Sequence, residues 1–135
     1  MTLVISTTLR QKTPRPLRGG GVLLYTKAAD FILGKKFEVS LVFVGDKRSH
    51  ALNFSYRGKD KPTNVLSFPL SKENGEIIIA LPYSRKEAKD FGATPDDHLL
   101  YLFIHGCCHL KGLDHGIPMD RLEQKTLAYL GKKHT

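Results

Sequence analysis

The sequence predicts an α+β fold, in which a mixed four-stranded sheet packs with about five helices. Segments rich in β-branched residues, which favour strands, occur among segments whose apolar residues have helical spacing. Such a mixture is typical of one α+β domain. The 135 residues contain no internal repeat and no linker long enough to divide them, so we expect a single domain over residues 1–135.

The first half of the chain is expected to contribute three strands and two helices. Gly34 ends the first helix, because glycine readily takes the left-handed conformation of a helix C-terminus. Asp46 is expected to cap the second helix, and a polar loop at 57–64 follows it. The five elements are a strand at 3–9, a helix at 22–33, a buried strand at 37–44, a helix at 46–56 and a strand at 65–70.

The second half is expected to contribute one strand and three helices. Thr94 begins the longest helix as a hydroxyl cap, Pro95 takes its first position, and Gly112 ends it. Asp96 and Asp97 place negative charge at the N-terminus of this helix, where the helix dipole stabilises it. The elements are a strand at 76–81, an exposed helix at 82–91, the helix that Thr94 caps, and a last helix at 119–130.

The helix that Thr94 begins is apolar on nearly all sides, which is typical of a buried helix. With steps of about 100° per residue, His98, His105 and His109 fall within an arc of roughly 40°. Because a buried helix cannot cheaply carry several unpaired polar groups, a shared ligand is the simplest explanation for this stripe. His105 and His109 are four residues apart and can reach the same ion.

A third histidine follows this helix. Gly112 lets the chain turn back, so that His115 can reach the same ion. The spacing His-x3-His-x5-His is typical of a zinc site with three histidines and one open position for water. We therefore predict one Zn²⁺ per chain, held by His105, His109 and His115. His98 lies about two turns from His105. It is either a core histidine with its own partner, which we favour, or a residue that contacts the substrate or supports a ligand.

Three residues beside these histidines have several possible roles. Asp114 can orient a ligand imidazole, accept a proton in catalysis or cap the last helix, and we favour the first of these roles. The adjacent Cys107 and Cys108 cannot easily form a disulfide with each other, so the chain has no disulfide framework. We expect Cys108 to be a buried thiol rather than a ligand.

Composition and charge limit the class of protein. The fraction of hydrophobic residues, 41%, is typical of a globular protein, and no apolar run approaches the roughly 18 residues of a membrane span. The apolar start at 1–6 is too short for a secretory signal and lacks its basic lead, so we expect a cytoplasmic protein without a membrane partner. The net charge of +8 favours nucleic acid as a partner, with charge that serves only solubility as the alternative.

Two long segments and one short strand form a recognisable signature. Residues 105–115 read H-G-C-C-H-L-K-G-L-D-H, and residues 52–69 read L-N-F-S-Y-R-G-K-D-K-P-T-N-V-L-S-F-P. Residues 75–79 read G-E-I-I-I. The first segment resembles the signature H-G-x-L-H-L-x-G-Y-D-H of the YbeY family of bacterial metal-dependent endoribonucleases. The other two are similar to the second hallmark of that family and to its Gly-Asp-Ile strand.

The resemblance extends from about residue 37 onward. Cys108, Leu113 and Glu76 depart from the leucine, tyrosine and aspartate that are usual in the family, and none of these departures removes a ligand. The resemblance implies a zincin-like α+β fold and hydrolysis of single-stranded RNA. It also implies a part in maturation of the 3′ end of 16S rRNA, with the small ribosomal subunit as a partner, and in ribosome quality control.

Basic residues after the second helix are expected to contact the RNA. Arg57 is planar and always charged, so it can bind a phosphate with two hydrogen bonds and stabilise the charge that develops during cleavage. Lys59 and Lys61 are expected to follow the RNA backbone. The alternative interpretation of this segment is a solvated basic loop.

Two other classes of function stay open. The first class is a zinc metallopeptidase, because two histidines at this spacing followed by a third resemble the metal-binding motif of metzincins. The other class is a ribosome-biogenesis factor without catalytic activity, in which the metal only stabilises the fold. In metzincins a glutamate follows the first ligand histidine and delivers protons, whereas here Gly106 follows His105. We therefore expect no peptidase activity, and we expect Gly106 to leave open space beside the ion.

Overall fold

A four-stranded mixed sheet forms the centre of the fold. The computed structural model describes the backbone of residues 2–7 and all atoms of residues 21–132. The strands are β1 (Thr2–Thr7), β2 (Glu38–Val44), β3 (Val65–Pro69) and β4 (Asn74–Ala80). Their order is β1-β2-β4-β3; β1, β2 and β4 are parallel, and β3 runs antiparallel to β4 at the edge.

In the part of the chain that the structure describes, five α-helices and one 3-10 helix accompany the sheet, which confirms the predicted α+β class. The α-helices are α1 (Gly21–Leu33), α2 (Asp46–Arg57), α3 (Leu81–Glu87), α4 (Pro95–Leu110) and α5 (Ile117–Tyr129). The 3-10 helix, Ala88–Phe91, continues directly from α3. None of the helices in the described ranges is both long and apolar enough to cross a membrane.

The two faces of the sheet bury apolar residues in two separate clusters. Alternate residues of β4 point to opposite faces, as the pleat of a strand requires. Ile77 and Ile79 join the main core with residues of α1, α4 and α5. Ile78 joins a smaller cluster on the other face, against which Leu52 of α2 packs. Both faces of β4 are therefore buried, which explains its run of three isoleucines.

Helix α4 crosses the main core and is buried as predicted. Thr94 caps it, because its side-chain oxygen accepts a hydrogen bond from the backbone N–H of Asp97 at 3.1 Å. The prediction of a hydroxyl cap followed by Pro95 is confirmed. The buried residues of the helix are His98, Leu99, Leu100, Leu102, Phe103, Ile104, Gly106, Cys107, Cys108 and Leu110. Only His105, His109 and the ring of Tyr101 reach partly to solvent beyond its first turn.

Some predicted boundaries differ from the structure. Asp46 is the first residue of α2 rather than its cap, which is Gly45, and the Asp46 carboxylate accepts a hydrogen bond from the backbone N–H of Tyr83 at 3.0 Å. It thereby satisfies a donor in the first turn of α3 instead of one in its own helix. Arg57 is the last residue of α2 rather than a loop residue. The predicted end of the first strand at residues 8 and 9 lies outside the described residues.

Gly106 does not open space beside the histidines, which corrects the expectation from the sequence. A Cβ at this position would lie 3.0 Å from Cγ2 of Ile77 and 3.0 Å from Oγ of Ser67. Ile77 is fully buried in β4, and Ser67 donates a hydrogen bond to the Gly106 carbonyl at 3.2 Å. The glycine therefore allows α4 to approach β3 and β4 closely.

We predict that Gly106→Ala lowers the free energy of unfolding by about 1–2 kcal/mol, because crowding against the sheet outweighs the gain in helix propensity. Urea denaturation measures this change. The reverse exchange at the exposed Ala128 of α5, Ala128→Gly, is the control and reports helix propensity alone. A Gly106→Ala variant at least as stable as the native protein would show that the helix packs less tightly than the structure indicates.

Candidate metal centre and its cleft

Three histidines converge at the end of α4. His105 and His109 lie one turn apart on the helix, and Gly112, with φ of 101°, turns the chain so that His115 returns to them before α5 begins. One ring nitrogen from each of the three lies within 4.8 Å of the others. The Nε2 atoms of His105 and His109 are 3.2 Å apart. The structure thus brings together the three residues that the sequence spacing selected.

This donor set fits a divalent metal ion. Zinc–nitrogen distances of about 2.0–2.1 Å in a tetrahedral site place two ligand nitrogens about 3.3 Å apart, close to the separation of the two Nε2 atoms. The pKa of His109 is lowered by burial and by the neighbouring His105 and His115. Its imidazole therefore stays neutral to a lower pH than an exposed histidine, and the neutral form is the one that binds metals.

A buried carboxylate supports the first of these histidines. Glu123 of α5 is 4% exposed, and its Oε2 lies 2.6 Å from Nδ1 of His105. This contact directs the Nε2 of His105 toward the other two rings. Tyr101 also hydrogen-bonds Glu123, and burial, with the charges of Glu123 and Asp120, raises the pKa of its phenol to about 12.

Sequence reasoning did not identify Glu123. A signal was present, because Met119, Glu123 and Leu127 are spaced four residues apart and form one buried row of α5. A single carboxylate in such an apolar row requires a buried partner.

Asp114, which the sequence assigned to a similar role, occupies a different environment. It is exposed, and no hydrogen bond joins it to another described residue. The N-cap of α5 is Gly116, without a side-chain hydrogen bond, so the alternative that Asp114 caps the last helix is wrong. Asp114 acts on His109 only through its charge, which raises the pKa of that imidazole. Its roles in orienting a ligand or accepting a proton stay predictions.

The two cysteines are free and buried, as expected. Burial is the main reason that the pKa of Cys108 rises to about 12, with the charge of Glu123 adding to it. A thiol with such a pKa is protonated at neutral pH when no metal is bound.

His98 lines the same cleft but is tied to a carboxylate. It is 2% exposed, and its Nε2 lies 2.8 Å from Oε1 of Glu87 in α3. The same oxygen accepts a hydrogen bond from Nδ2 of Asn64 at 2.7 Å. Neither Glu87 nor Asn64 was singled out from the sequence. His98 is thus a fixed part of the cleft wall rather than a mobile contact.

The three histidines lie in a cleft of about 230 Å³ that also contains Arg57. Arg57 is exposed and is the last residue of α2. The residues that line the cleft are Arg57, Thr63, Asn64, Val65, Ser67, Phe91, His98, Tyr101, Leu102, His105, His109 and His115. None of these described residues is a carboxylic acid.

A second, basic cavity of about 200 Å³ adjoins the cleft and shares Arg57, Thr63 and Asn64 with it. Lys59 and Lys61 line this second cavity and are exposed. Both lysines therefore line a cavity that shares Arg57 with the cleft of the histidines.

Buried polar residues of α2 hold this basic segment in place. Ser49 bonds both the carbonyl and the N–H of Thr63, at 2.7 and 3.0 Å. Asn53 donates to the carbonyl of Lys61 at 2.8 Å. Because both residues are buried, these hydrogen bonds hold the backbone of the loop while its basic side chains stay in solvent.

The fold and the site together define a class: an α+β protein in which three histidines that could hold a metal ion lie in a cleft beside a basic cavity. The family model described as Endoribonuclease YbeY matches residues 22–131. The chain belongs to this family.

Individual relatives agree with the family assignment. The Endoribonuclease YbeY of Allorhizobium ampelinum is 43% identical over 77% of this chain and 75% of its own length. That of Zymomonas mobilis is 38% identical over 76% and 71%. The solution structure of TM1509 from Thermotoga maritima has a TM-score of 0.62 and 26% identity, covering 96% of this chain and 89% of that one.

We predict that Glu123→Gln weakens metal binding by about 10–100-fold, because an amide makes the bonded imidazole a weaker ligand than a carboxylate does. Competition with a chromophoric chelator measures this affinity. Asp120→Asn, the same exchange at an exposed position of α5, is the matched control and should leave affinity unchanged. If Asp114→Asn weakened binding and Glu123→Gln did not, Asp114 would be the supporting carboxylate.

Proposed function

We propose that this protein is a zinc-dependent endoribonuclease that cleaves single-stranded RNA. The observation that carries the proposal is the convergence of His105, His109 and His115 in a cleft that also contains Arg57. Membership of a family described as an endoribonuclease supports RNA as the substrate. Three imidazole donors favour zinc over magnesium or calcium, which prefer oxygen ligands.

In the proposed reaction, different residues orient the metal ligands, bind the phosphate and hold the RNA backbone. When bound, a zinc ion would supply Lewis acidity for hydrolysis. Glu123 orients His105 toward that ion, and the backbone of Leu113 bonds His109. Arg57 lines the same cleft as the histidines, and its role in the proposed reaction is to bind the scissile phosphate and stabilise the charge that develops on it. Lys59 and Lys61 hold the adjoining RNA backbone in the basic cavity.

The wider role of the protein follows from the family rather than from the site. We propose that it acts as one zincin-like domain in the cytoplasm, in maturation of the 3′ end of 16S rRNA and in ribosome quality control. The small ribosomal subunit is the proposed partner. The net charge of +8 supports binding to a large polyanion such as ribosomal RNA.

The peptidase alternative meets a steric obstacle. A metzincin requires a glutamate directly after its first ligand histidine. Here that position is Gly106, where a Cβ alone would lie 3.0 Å from both Ile77 and Ser67. None of the described residues that line the cleft is a carboxylic acid that could replace that glutamate. The non-catalytic alternative is distinguished by experiment, because it predicts RNA binding without turnover.

The first test measures cleavage of single-stranded RNA by metal-quantified protein. We expect about one zinc per chain, cleavage that a chelator abolishes and zinc restores, and no hydrolysis of casein. His115→Ala should reduce both zinc content and cleavage, because it removes one of three ligands. Full zinc occupancy in His115→Ala would refute the three-ligand site. Casein hydrolysis that is lost in His109→Ala would favour the peptidase.

The second test separates the role of Arg57 from that of the lysines. Arg57→Ala should reduce the cleavage rate at saturating RNA by about 100-fold or more, while zinc content and folding stay native. Lys59→Ala and Lys61→Ala should mainly weaken binding and flatten its salt dependence, because each removes a phosphate contact. Arg121→Ala, at an exposed position of α5 outside the cleft, is the control. Native turnover in Arg57→Ala would show that another group stabilises the phosphate.

A further inference from the structure

A row of four aromatic rings leads from the rim of the cleft to the metal centre. Phe91 stacks on His98, with ring centroids 4.8 Å apart and planes inclined by 25°. His98 is followed by Tyr101 at 6.2 Å, and Tyr101 by His105 at 6.0 Å. The metal-site end of the row is largely buried, whereas the outer ring, Phe91, is 49% exposed.

Phe91, like His98 and Tyr101, lines two cavities. It lines the metal cleft and a neighbouring cavity of about 140 Å³ that lies against the start of α4. Leu100 and Leu127 form apolar parts of the wall of this second cavity. Asp97 and Lys132, whose charged atoms are 3.8 Å apart, also line it. The cavity thus combines an aromatic face and apolar walls with one acceptor and one donor.

The ring beneath Phe91 is held rigidly. His98 is 2% exposed and bonded to Glu87, which also accepts a hydrogen bond from Asn64. Phe91 itself ends the 3-10 helix, where Gly92, with φ of 64°, turns the chain toward α4. An exposed ring that rests on a fixed ring loses little conformational entropy when a ligand stacks on it.

We infer that Phe91 is the stacking platform for one unpaired base of the RNA, and that the cavity between Phe91 and α4 receives this base. The inference rests on the proposed function and adds a base subsite to it. Proteins bind unpaired bases by stacking them on exposed aromatic side chains. Because the faces of bases in a duplex are covered by their neighbours, such a platform also selects single strands over duplexes.

The position of the platform relates it to the cleavage site. The row of rings connects Phe91 to His105 through only two intermediate rings. A base on Phe91 therefore belongs to a nucleotide within a few positions of the phosphate at the histidines. Stacking tolerates all four bases, so this subsite positions the strand without requiring a particular sequence.

The experiment tests whether the contribution of Phe91 to RNA binding depends on one particular base. A fluorescent single-stranded RNA that the protein cleaves is prepared with an abasic nucleotide at each position around the cleaved bond. Binding is measured by rapid mixing, before cleavage begins. We expect one abasic position to weaken binding to the native protein about 10-fold. Phe91→Leu should bind the intact RNA about 10-fold more weakly and should be insensitive to that abasic position.

Two further variants separate stacking from structure. Phe91→Trp should retain the native affinity and the sensitivity to the abasic position, because indole provides an aromatic face. Phe54→Leu, at another exposed phenylalanine outside both cavities, should bind as the native protein does. Equal abasic penalties in the native protein and Phe91→Leu would overturn the inference, as would a native protein with no sensitive position.

The outcomes also distinguish this inference from the proposed function. Chelator-sensitive cleavage of RNA without coupling between Phe91 and any base would refute the platform and leave the nuclease intact. A protein that neither binds nor cleaves single-stranded RNA would refute both.

Discussion

The burial of α4 is the constraint on which the rest of the site depends. This helix is apolar on almost all sides, yet it carries three histidines along one stripe. Every imidazole nitrogen that is removed from water requires a partner. Glu87 bonds His98 and Glu123 bonds His105. The packing of α3 and α5 against α4 is therefore coupled to the chemistry of its polar stripe.

Features that depend on neighbours in sequence were predictable. The cap at Thr94, the burial of α4 and the approach of His115 all follow from local rules of helix geometry, and the structure shows each of them. The order of strands in the sheet was not predicted, because β2 pairs with β4 across an intervening helix and strand. The pairing depends on how β4 buries both of its faces in the folded protein. The hydrophobic pattern of a strand does not specify which other strand pairs with it.

Features that depend on distant contacts were not predictable. Glu123 and Glu87 lie 18 and 11 residues from the histidines they bond, and in the sequence each resembles an ordinary charged residue of a helix. Gly106 was interpreted as open space because its neighbours across the interface were unknown. Once Ile77 is placed beneath it, the same glycine indicates close packing. The types of these residues indicated that they have a structural or functional role, but the residues that they contact are known only from the tertiary fold.

The position of Gly106 shows how packing limits the chemistry of this helix. A helix that presents His105 and His109 to a cleft turns the residue after His105 by about 100° away from them. In this fold that direction meets the buried face of the sheet, where a Cβ would lie only 3.0 Å from Ile77. A glutamate at this point would crowd the contact between α4 and the sheet. In the nuclease that we propose, charge stabilisation and proton transfer would therefore fall to the metal, Arg57 and solvent. This combination suits a phosphodiester, whose oxygen leaving group needs less assistance than the amine of a peptide.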